Sequence, residues 1–337
     1  MRKILVTGGA GFIGSNFVRM VLSEHPDCLV VNLDKFTYAG NLENLAGFLE
    51  HPNHRFIKGD ICDGILVERI IDEHSVDTVI NFAAESHVDR SITDPKVFIE
   101  TNVAGTLTLL EAAREKKLER FVQVSTDEVY GALGPEGKFT EQTPISPNSP
   151  YSASKAAADL MVKAFGHTWG VRYNITRCSN NYGPYQFPEK LIPLMINNAI
   201  NDKPLPVYGD GLYVRDWLYV HDHCTAIWAV LEKAPAGEVY NIGGCNEKAN
   251  LEVIDMILAH LSKPKSLIRF VKDRPGHDRR YAMNAGKIMT ELGWRPSVSF
   301  EEGIHKTIDW YLQNQKWLTN VVSGDYQKYY EAMYGNR

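Results

Sequence analysis

Short runs of apolar, often β-branched residues alternate with longer amphipathic stretches through the first half of the chain. The short runs lie at 4–7, 29–33, 55–58, 78–82, 121–124 and 173–177, and the longer stretches lie at 12–24, 64–74, 94–117 and 151–168. Nearly continuous apolar strands that alternate with helices indicate a parallel sheet covered on both faces. The pattern therefore predicts an α/β fold with a Rossmann-type doubly wound parallel sheet.

The pattern changes after about residue 180, where prolines become frequent and the strand-like runs become short and isolated. Helix-like stretches continue near 189–200, 221–233, 250–262 and 301–313. This part predicts a smaller α+β lobe packed on the first. The segment 143–150 holds three prolines and is predicted to be a non-helical loop. The tail after about 315 gives no functional signal.

Composition narrows the class of protein only modestly. With 337 residues and 44% hydrophobic content, the chain can form one large domain or two fused domains. A net charge of -5 argues against a general nucleic-acid surface. Five widely spaced cysteines without a C-x-x-C pair indicate reduced thiols. Glycines interrupt the first apolar run, and no segment has the roughly 20 apolar residues of a membrane span. We expect a soluble, cytoplasmic protein.

A glycine-rich turn follows the first predicted strand, with Gly8, Gly11 and Gly14 spaced three apart. Backbone amides at a helix N-terminus bind a dinucleotide pyrophosphate, and side chains would block that approach. Gly8 suits the tight turn, Gly11 the close approach of the phosphates, and Gly14 the packing of the helix on the strand. The alternative, a turn without a ligand, is disfavoured because Asp34 ends the second strand.

Asp34 lies 20 residues after Gly14, where a carboxylate can accept hydrogen bonds from the adenosine ribose. The same charge would repel a 2′-phosphate, so the sequence predicts NAD rather than NADP. The neighbouring Lys35 weakens that inference slightly. Asp60 and Ile61 are predicted beside the adenine, although a helix N-cap explains Asp60 equally well. Small residues at 83–84, followed by Glu85, would let the cofactor cross the sheet edge.

Tyr151 and Lys155 form Y-x-x-x-K on a predicted helix, and their i, i+4 spacing places both on one helical face. An ammonium close to a phenol lowers the phenol pKa, so Tyr151 is predicted to act as a base near neutral pH. The alternative is an ordinary solvated helix face.

Two adjacent acids, Asp127 and Glu128, follow the strand that ends in Ser125 and Thr126. Open α/β sheets place their ligands at the carboxyl ends of strands. Neighbouring acids in different environments can have their pKa values pushed apart, so that one serves as acid and the other as base. The alternative is a capping Asp and a solvated Glu in a loop.

These motifs together resemble a known family. The T-G-x-x-G-x-x-G turn with Y-x-x-x-K resembles the extended short-chain dehydrogenase/reductase superfamily, and residues 125–131 closely resemble its dTDP-glucose 4,6-dehydratases. The likeness continues through 83–91, 177–190, 215–217 and 273–280, without a departure at a position that carries chemistry. The resemblance implies an NAD-binding domain at 1–180 and a mainly nucleotide-sugar-binding lobe at 181–337, with exchange of segments between the lobes allowed.

The resemblance also implies residue roles. Tyr151 would take the proton of the hexose 4-hydroxyl, Thr126 would bind the 4-oxygen, and Lys155 would hold the nicotinamide ribose. Glu128 would remove the C5 proton, and Asp127 would protonate the departing 6-hydroxyl. Further residues expected at the cofactor are Phe12, Ile13, Lys35, Thr101, Ser125 and Asn181. Those expected at the substrate are Ser86, His87, Asn180, Lys190, Leu191, Pro206, Tyr208, Arg215, Asn250, Arg274 and His277.

Lys190, Arg215 and Arg274 are the implied diphosphate ligands, although lone surface arginines are more often solvated. No metal site is predicted, because neither His87 nor His221 has ligand spacing. Relatives use helices that correspond to 94–117 and 151–168 in a dimer interface, so a homodimer is expected, with burial inside the monomer as the alternative. Rival functions are a nucleotide-sugar epimerase, a decarboxylase, a dehydratase for another nucleotide sugar, and a non-catalytic NAD-binding regulator.

Overall fold

The computed structural model of the chain describes residues 2–273 and 277–322, in which a seven-stranded parallel sheet dominates. Its strands, in the order in which they lie side by side, are β10 (Val239–Ile242), β6 (Tyr173–Cys178), β5 (Arg120–Thr126), β4 (Thr78–Asn81), β1 (Arg2–Thr7), β2 (Cys28–Asp34) and β3 (His54–Lys58). The order reverses direction next to β1, as a doubly wound sheet requires. The predicted fold class is confirmed.

The helices connect these strands and cover the sheet. They are α1 (Phe12–Glu24), α2 (Gly64–His74), α3 (Val88–Thr93), α4 (Lys96–Phe98), α5 (Thr106–Glu115), α6 (Pro150–Trp169), α7 (Leu191–Ile200), α8 (Val220–Lys233), α9 (Asn250–His260), α10 (Gly286–Glu291), α11 (Phe300–Gln313) and α12 (Gln315–Val321). Short 3-10 turns lie at Leu42–Leu45, Asp127–Tyr130 and Lys265–Leu267.

Both faces of the sheet are buried, which explains why its strands are almost wholly apolar. On β1, Ile4 and Val6 pack into the cluster that contains residues of α1 and α8. Leu5 points the other way, into the cluster formed with α2, α5 and α6. All three side chains are fully buried. Side chains that alternate between two apolar cores thus replace the polar-apolar alternation of a half-exposed strand.

The smaller lobe contains two short sheets. One joins β11 (Glu247–Ala249), β9 (Val214–Tyr219) and β7 (Asn180–Tyr182), and the other joins β12 (Ile268–Val271) and β8 (Leu205–Tyr208). A separate apolar core lies beneath α7, α9 and α11. The chain also returns to the large sheet, because β10 pairs in parallel with β6. The boundary at residue 180 stays a prediction.

The predicted helix at 94–117 is only partly correct. A π-helical segment, Ile99–Gly105, separates α4 from α5. Asn102 lies in this segment and is 1% exposed. Its side chain bonds both backbone polar groups of Glu85, at 2.9 and 3.0 Å, and donates to Ser154 Oγ at 2.8 Å. Because π turns move a side chain relative to regular helical spacing, this contact accounts for the interruption.

The loop before α6 is non-helical as predicted, but its last proline, Pro150, already belongs to the helix. Ser149 caps this helix, and proline suits the first helical position because its missing N–H would have no partner there. Within residues 2–273 and 277–322, no helix combines the length and the apolar surface needed to cross a membrane.

Candidate active site

A cavity of about 420 Å³ lies at the carboxyl ends of the central strands, between the large sheet and the smaller lobe. All the predicted site residues that the structure describes line it. Arg274 lies outside the described residues. The predicted cofactor residues at the cavity are Gly8, Gly11, Phe12, Ile13, Gly14, Asp34, Lys35, Asp60, Ile61, Ala83, Ala84, Glu85, Thr101, Ser125, Tyr151, Lys155 and Asn181, and the predicted substrate residues include Ser86, His87, Asn180, Leu191 and Pro206.

The glycine turn at the cavity is as tight as the spacing predicts. Gly8 has φ of 71°, in the left-handed region that favours glycine. A Cβ on Gly14 would lie 2.2 Å from the carbonyl oxygen of Gly8 and 2.9 Å from its carbonyl carbon. Both contacts are with backbone, which cannot move aside as a side chain can. The first turn of α1 therefore packs directly on the end of β1.

Asp34 ends β2 and supports the same turn. Its carboxylate accepts hydrogen bonds from the backbone N–H groups of Ala10 at 2.9 Å and Phe36 at 2.8 Å. Burial raises the pKa of Asp34, and these two hydrogen bonds oppose that rise. Lys35 pairs with Asp60 at 2.6 Å, at the edge of the cavity. Asp60 does not cap α2, because Asp63 occupies that position.

Tyr151 and Lys155 lie on one face of α6, and both are buried at 8% and 4% exposure. The prediction of a shared helical face is confirmed, and the alternative of a solvated face is wrong. The Lys155 ammonium donates to the carbonyl oxygen of Val124 at 2.7 Å, which fixes α6 against the end of β5. Burial lowers the pKa of Lys155, while the nearby carboxylate of Asp159 raises it.

The surroundings of Tyr151 act against the predicted lowering of its pKa. Burial raises the pKa of Tyr151 well above its ordinary value, and the charge of Glu128 adds to the rise. A hydrogen bond with Thr126 opposes it. The i, i+4 spacing places Tyr151 and Lys155 on one helical face, but it could not reveal the dry surroundings of the phenol or the charge of Glu128 that acts on it.

Thr126 and Asp127 lie where β5 passes into its 3-10 turn. The Thr126 hydroxyl caps this turn by accepting a bond from the Glu128 N–H at 3.3 Å. Because Thr126 is the cap, the alternative of a capping Asp is wrong, and Asp127 is 2% exposed. Burial raises the pKa of Asp127 well above its usual range, and the charges of Glu128 and Asp216 raise it further. Asp127 therefore favours its protonated form beside a second carboxyl group.

The opposite end of the cavity gathers the predicted substrate residues of the smaller lobe. Arg215 is 6% exposed and donates to the carbonyl oxygens of Val214 and Asp278, each at 2.8 Å. Lys190 donates to the Ser86 carbonyl oxygen at 2.8 Å. Lys190 and Arg215 thus lie at the cavity wall and are not solvated on an open surface.

Aromatic rings complete this end of the cavity. The ring of His277 stacks on Tyr213 with centroids 3.8 Å apart, and its Nδ1 lies 2.7 Å from a carboxylate oxygen of Asp273. The Tyr208 hydroxyl donates to Asp89 at 3.2 Å. Packing alone does not explain Tyr208, because its polar end bonds at the cavity.

Sequence reasoning missed Glu189, which lines the cavity although its side chain is only 2% exposed. Its carboxylate lies 3.5 Å from Arg90 and accepts a bond from the Tyr38 hydroxyl at 3.2 Å. The Arg90 guanidinium also covers the Tyr38 ring at 3.7 Å. Glu189 lies in the 177–190 motif directly before Lys190, but its position in the sequence does not distinguish a buried acid from a solvated one.

In the described part of the chain, no group of three or more His, Cys, Asp or Glu side chains is arranged to hold a metal ion. The fold and the cavity define an enzyme-like site with a dinucleotide turn at one end and paired acids at its centre.

Comparison with known proteins identifies the class. A family model described as GDP-mannose 4,6 dehydratase matches residues 5–307, and the chain belongs to that family. Within it, the resemblance to the dTDP-glucose 4,6-dehydratases is confirmed. The dTDP-glucose 4,6-dehydratase of Xanthomonas campestris pv. campestris (strain B100) is 58% identical over 345 aligned positions, which cover 97% of this chain and 98% of the relative.

Two solved structures support the same assignment. The dTDP-glucose 4,6-dehydratase of Bacillus anthracis, in complex with NAD, has a TM-score of 0.90 and 53% identity, and the match covers 95% of this chain and 100% of that one. The enzyme of Streptomyces venezuelae, with NAD and TYD bound, has a TM-score of 0.91 and 51% identity, with 94% and 98% covered.

The glycine turn predicts a specific loss of stability. Gly14→Ala should lower the free energy of unfolding by about 1–3 kcal/mol, because the new methyl group overlaps backbone atoms of Gly8. Urea unfolding followed by circular dichroism measures this. Gly134→Ala is the matched control, since a Cβ there meets nothing within 4 Å. Equal unfolding midpoints for the two variants would contradict the packing argument.

Proposed function

We propose that the chain is an NAD-dependent hydro-lyase that converts dTDP-glucose into dTDP-4-keto-6-deoxyglucose and water. The observation that carries this proposal is the pair Asp127 and Glu128, in which burial raises the pKa of Asp127 beside a second carboxyl group. Elimination of water needs both an acid and a base, and such a pair supplies them. The names of the similar proteins support the same reaction. Its product is a precursor for deoxysugar biosynthesis.

The residues at the first strand fit NAD. The backbone at Gly8 and Gly14 forms a cradle that a Cβ would fill, and the N-terminus of α1 faces the same cavity. Asp34 would bind the adenosine ribose, and Lys155 would hold the nicotinamide ribose. NAD held by these residues would supply a hydride acceptor for C4 of the hexose and, once reduced, a hydride donor for C6, so it would not be consumed over a turnover.

Tyr151 would remove the proton of the 4-hydroxyl during the first oxidation, while Thr126 binds the same oxygen. A phenolate in this dry cavity needs a positive charge close by, because burial and Glu128 both disfavour it. Lys155 lies one helical turn along α6 and can supply that charge. The protonation state of Tyr151 therefore depends on the neighbouring charges as well as on the bulk pH.

Glu128 would then take the C5 proton, which the new 4-ketone makes acidic. Asp127 would give its proton to the 6-hydroxyl as water departs. The division follows from the surroundings, because Asp127 is almost fully buried and favours the neutral form. An epimerase of the same superfamily has no water to eliminate and would not need this pair.

The smaller lobe would hold the nucleotide diphosphate. Lys190 and Arg215 are proposed phosphate ligands together with Arg274, since guanidinium and ammonium groups bind phosphate oxygens strongly. The side-chain oxygens of Asn180 and Asn250 are buried and have no hydrogen-bond partner among the described residues. Buried amide oxygens are normally bonded, so both fit acceptors for the substrate. Tyr208 and His277 complete this end.

We also propose that the protein is a cytoplasmic homodimer. The helical segments at 94–117 and 151–168 expose the large apolar side chains of Ile99 and Leu160, each more than half exposed. Exposed large apolar side chains on both segments support a contact between two copies of the chain. All five cysteines are free, which suits a reducing compartment.

The first measurement is mass spectrometry of dTDP-glucose after incubation with purified protein and no added cofactor. The expected result is loss of one water, because NAD should copurify and be recycled. Extraction of the denatured protein should release the NAD. Unchanged mass, followed by chromatography that finds an epimer, would replace the proposal with an epimerase. Loss of water from a UDP, GDP or CDP sugar instead would withdraw the dTDP assignment.

Asp127→Asn removes the proposed acid while keeping the side-chain size. We expect dehydration to slow by about 100-fold or more, the usual contribution of general acid catalysis. The first oxidation should largely persist, so stopped-flow absorbance of the reduced nicotinamide should accumulate. Asp72→Asn, at an exposed partner of Lys116, is the control and should change neither step. An equal loss of both steps in Asp127→Asn would refute the assigned role.

Glu128→Gln removes the proposed base. In deuterated water, the wild-type product should carry deuterium at C5, and the variant should show much less exchange there. The reason is that an amide cannot take up the C5 proton. Nuclear magnetic resonance of the product measures the incorporation. If exchange at C5 continues at the wild-type level, Glu128 is not the base.

A further inference from the structure

The two groups of proposed catalytic residues lie on different elements, and one buried side chain joins those elements. Asp127 begins the 3-10 turn that ends at Tyr130. Tyr151 lies on α6, and Asp159 lies eight residues further along the same helix. Arg177 on β6 contacts both Tyr130 and Asp159. Its guanidinium therefore links the turn with the acids to the helix with the tyrosine.

The contacts of Arg177 are directional and sealed from water. Its Nε donates to Asp159 Oδ2 at 2.9 Å, and its Nη1 donates to the Tyr130 hydroxyl at 3.0 Å. The side chains of Arg177 and Asp159 are 1% and 0% exposed. The Tyr130 hydroxyl donates a hydrogen bond to Asn241 Oδ1 on β10 at 2.7 Å. Tyr130 is thus held between two strands of the large sheet.

Because of the 3-10 geometry, the position of the Tyr130 side chain constrains the position of the Asp127 side chain. Side chains at i and i+3 of a 3-10 helix eclipse each other, so Asp127 and Tyr130 share one edge of the turn. The other end of the turn is held by Thr126 through a long bond of 3.3 Å. Directly after Tyr130, Gly131 has φ of 86°, and the chain leaves in a new direction. The Tyr130 hydroxyl is therefore a firm anchor of this four-residue segment.

We propose that Tyr130 and Arg177 are positioning residues for water elimination, which hold Asp127 and Glu128 in register with the substrate carbon chain that Tyr151 orients. This inference rests on the proposed dehydratase function. Neither residue lines the cavity, so neither touches the substrate. Their effect passes through the turn, and a displacement of about 1 Å at a reacting group can cost roughly 100-fold in rate.

Tyr130→Phe is the sharpest test, because it removes only the hydroxyl and keeps the ring that packs on Phe139. Tyr240→Phe is the matched control. Tyr240 is also buried in the large sheet, and its hydroxyl donates to Glu291 at 2.8 Å, away from the catalytic turn. A general loss of a buried hydroxyl bond would affect both variants alike.

The expected result for Tyr130→Phe is a fall in the dehydration kcat of about 10-fold or more, with KM for dTDP-glucose nearly unchanged. Formation of the reduced nicotinamide in the first oxidation should keep its wild-type rate, so this species should accumulate in stopped-flow traces. Tyr240→Phe should keep the wild-type ratio of the two steps. Asn241→Ala, which removes the acceptor of the Tyr130 proton, should act in the same direction and provides a second route if Tyr130→Phe does not fold.

The outcomes separate this inference from the proposed function. If the wild-type protein releases no water from dTDP-glucose, the dehydratase proposal and this inference fail together. If the wild type is active and Tyr130→Phe keeps the wild-type ratio of the two steps, only the positioning role is overturned. If Tyr130→Phe slows the first oxidation and the dehydration by the same factor, equal to that in Tyr240→Phe, the positioning role is also overturned. Tyr130 would then have a structural role only.

Discussion

A fully buried ion pair between Arg177 and Asp159 sets how α6 lies on the sheet. Two charges in a dry interior are tolerated only when each is paired and hydrogen-bonded, and removal of one partner typically costs about 3–5 kcal/mol. The pair ties α6 to β6 in the observed register. Tyr151 and Lys155 precede Asp159 by two turns and one turn, so the same register brings them to the end of β5.

The dry interior that demands this ion pair also governs protons at the site. Burial raises the pKa of Asp127 and Tyr151 and lowers that of Lys155, so each group is pushed toward its neutral form. The physical cause is the same in all three, namely the loss of water around the charged form. A reaction that moves protons among these groups therefore exchanges one costly charge for another. That arrangement suits a sequence of proton transfers inside one cavity.

Much of this arrangement could be predicted from sequence, because it depends on local spacing. The sequence predicts helix α2 at 64–74, and the structure has it at Gly64–His74, because apolar periodicity marks its extent; its cap is Asp63 and not Asp60. The glycine turn and the i, i+4 pair are also local patterns. Conversely, β8 and β12 escaped prediction because each pairs with a distant partner over only four residues. The π segment depends on Asn102 meeting Glu85 and Ser154, which are distant in the chain.

The Tyr151 pKa marks the limit of local reasoning most clearly. Spacing along one helix places Lys155 and Tyr151 on the same face, but the raised pKa of Tyr151 comes from burial and from Glu128 on another element. Contacts between the large-sheet side of the cavity and the smaller lobe likewise depend on residues that are distant in the chain. Tyr38 follows the cofactor strand β2, yet its hydroxyl bonds Glu189 of the smaller lobe. Asn16 on α1 likewise donates to the Pro184 carbonyl oxygen at 3.0 Å. These contacts join the large-sheet side of the cavity to the smaller lobe, so the two sides of the cavity are built as one unit. A reaction cycle that returns its hydride to the same sugar requires the two sides of the cavity to keep their relative position, because sugar and cofactor must stay aligned until the last step.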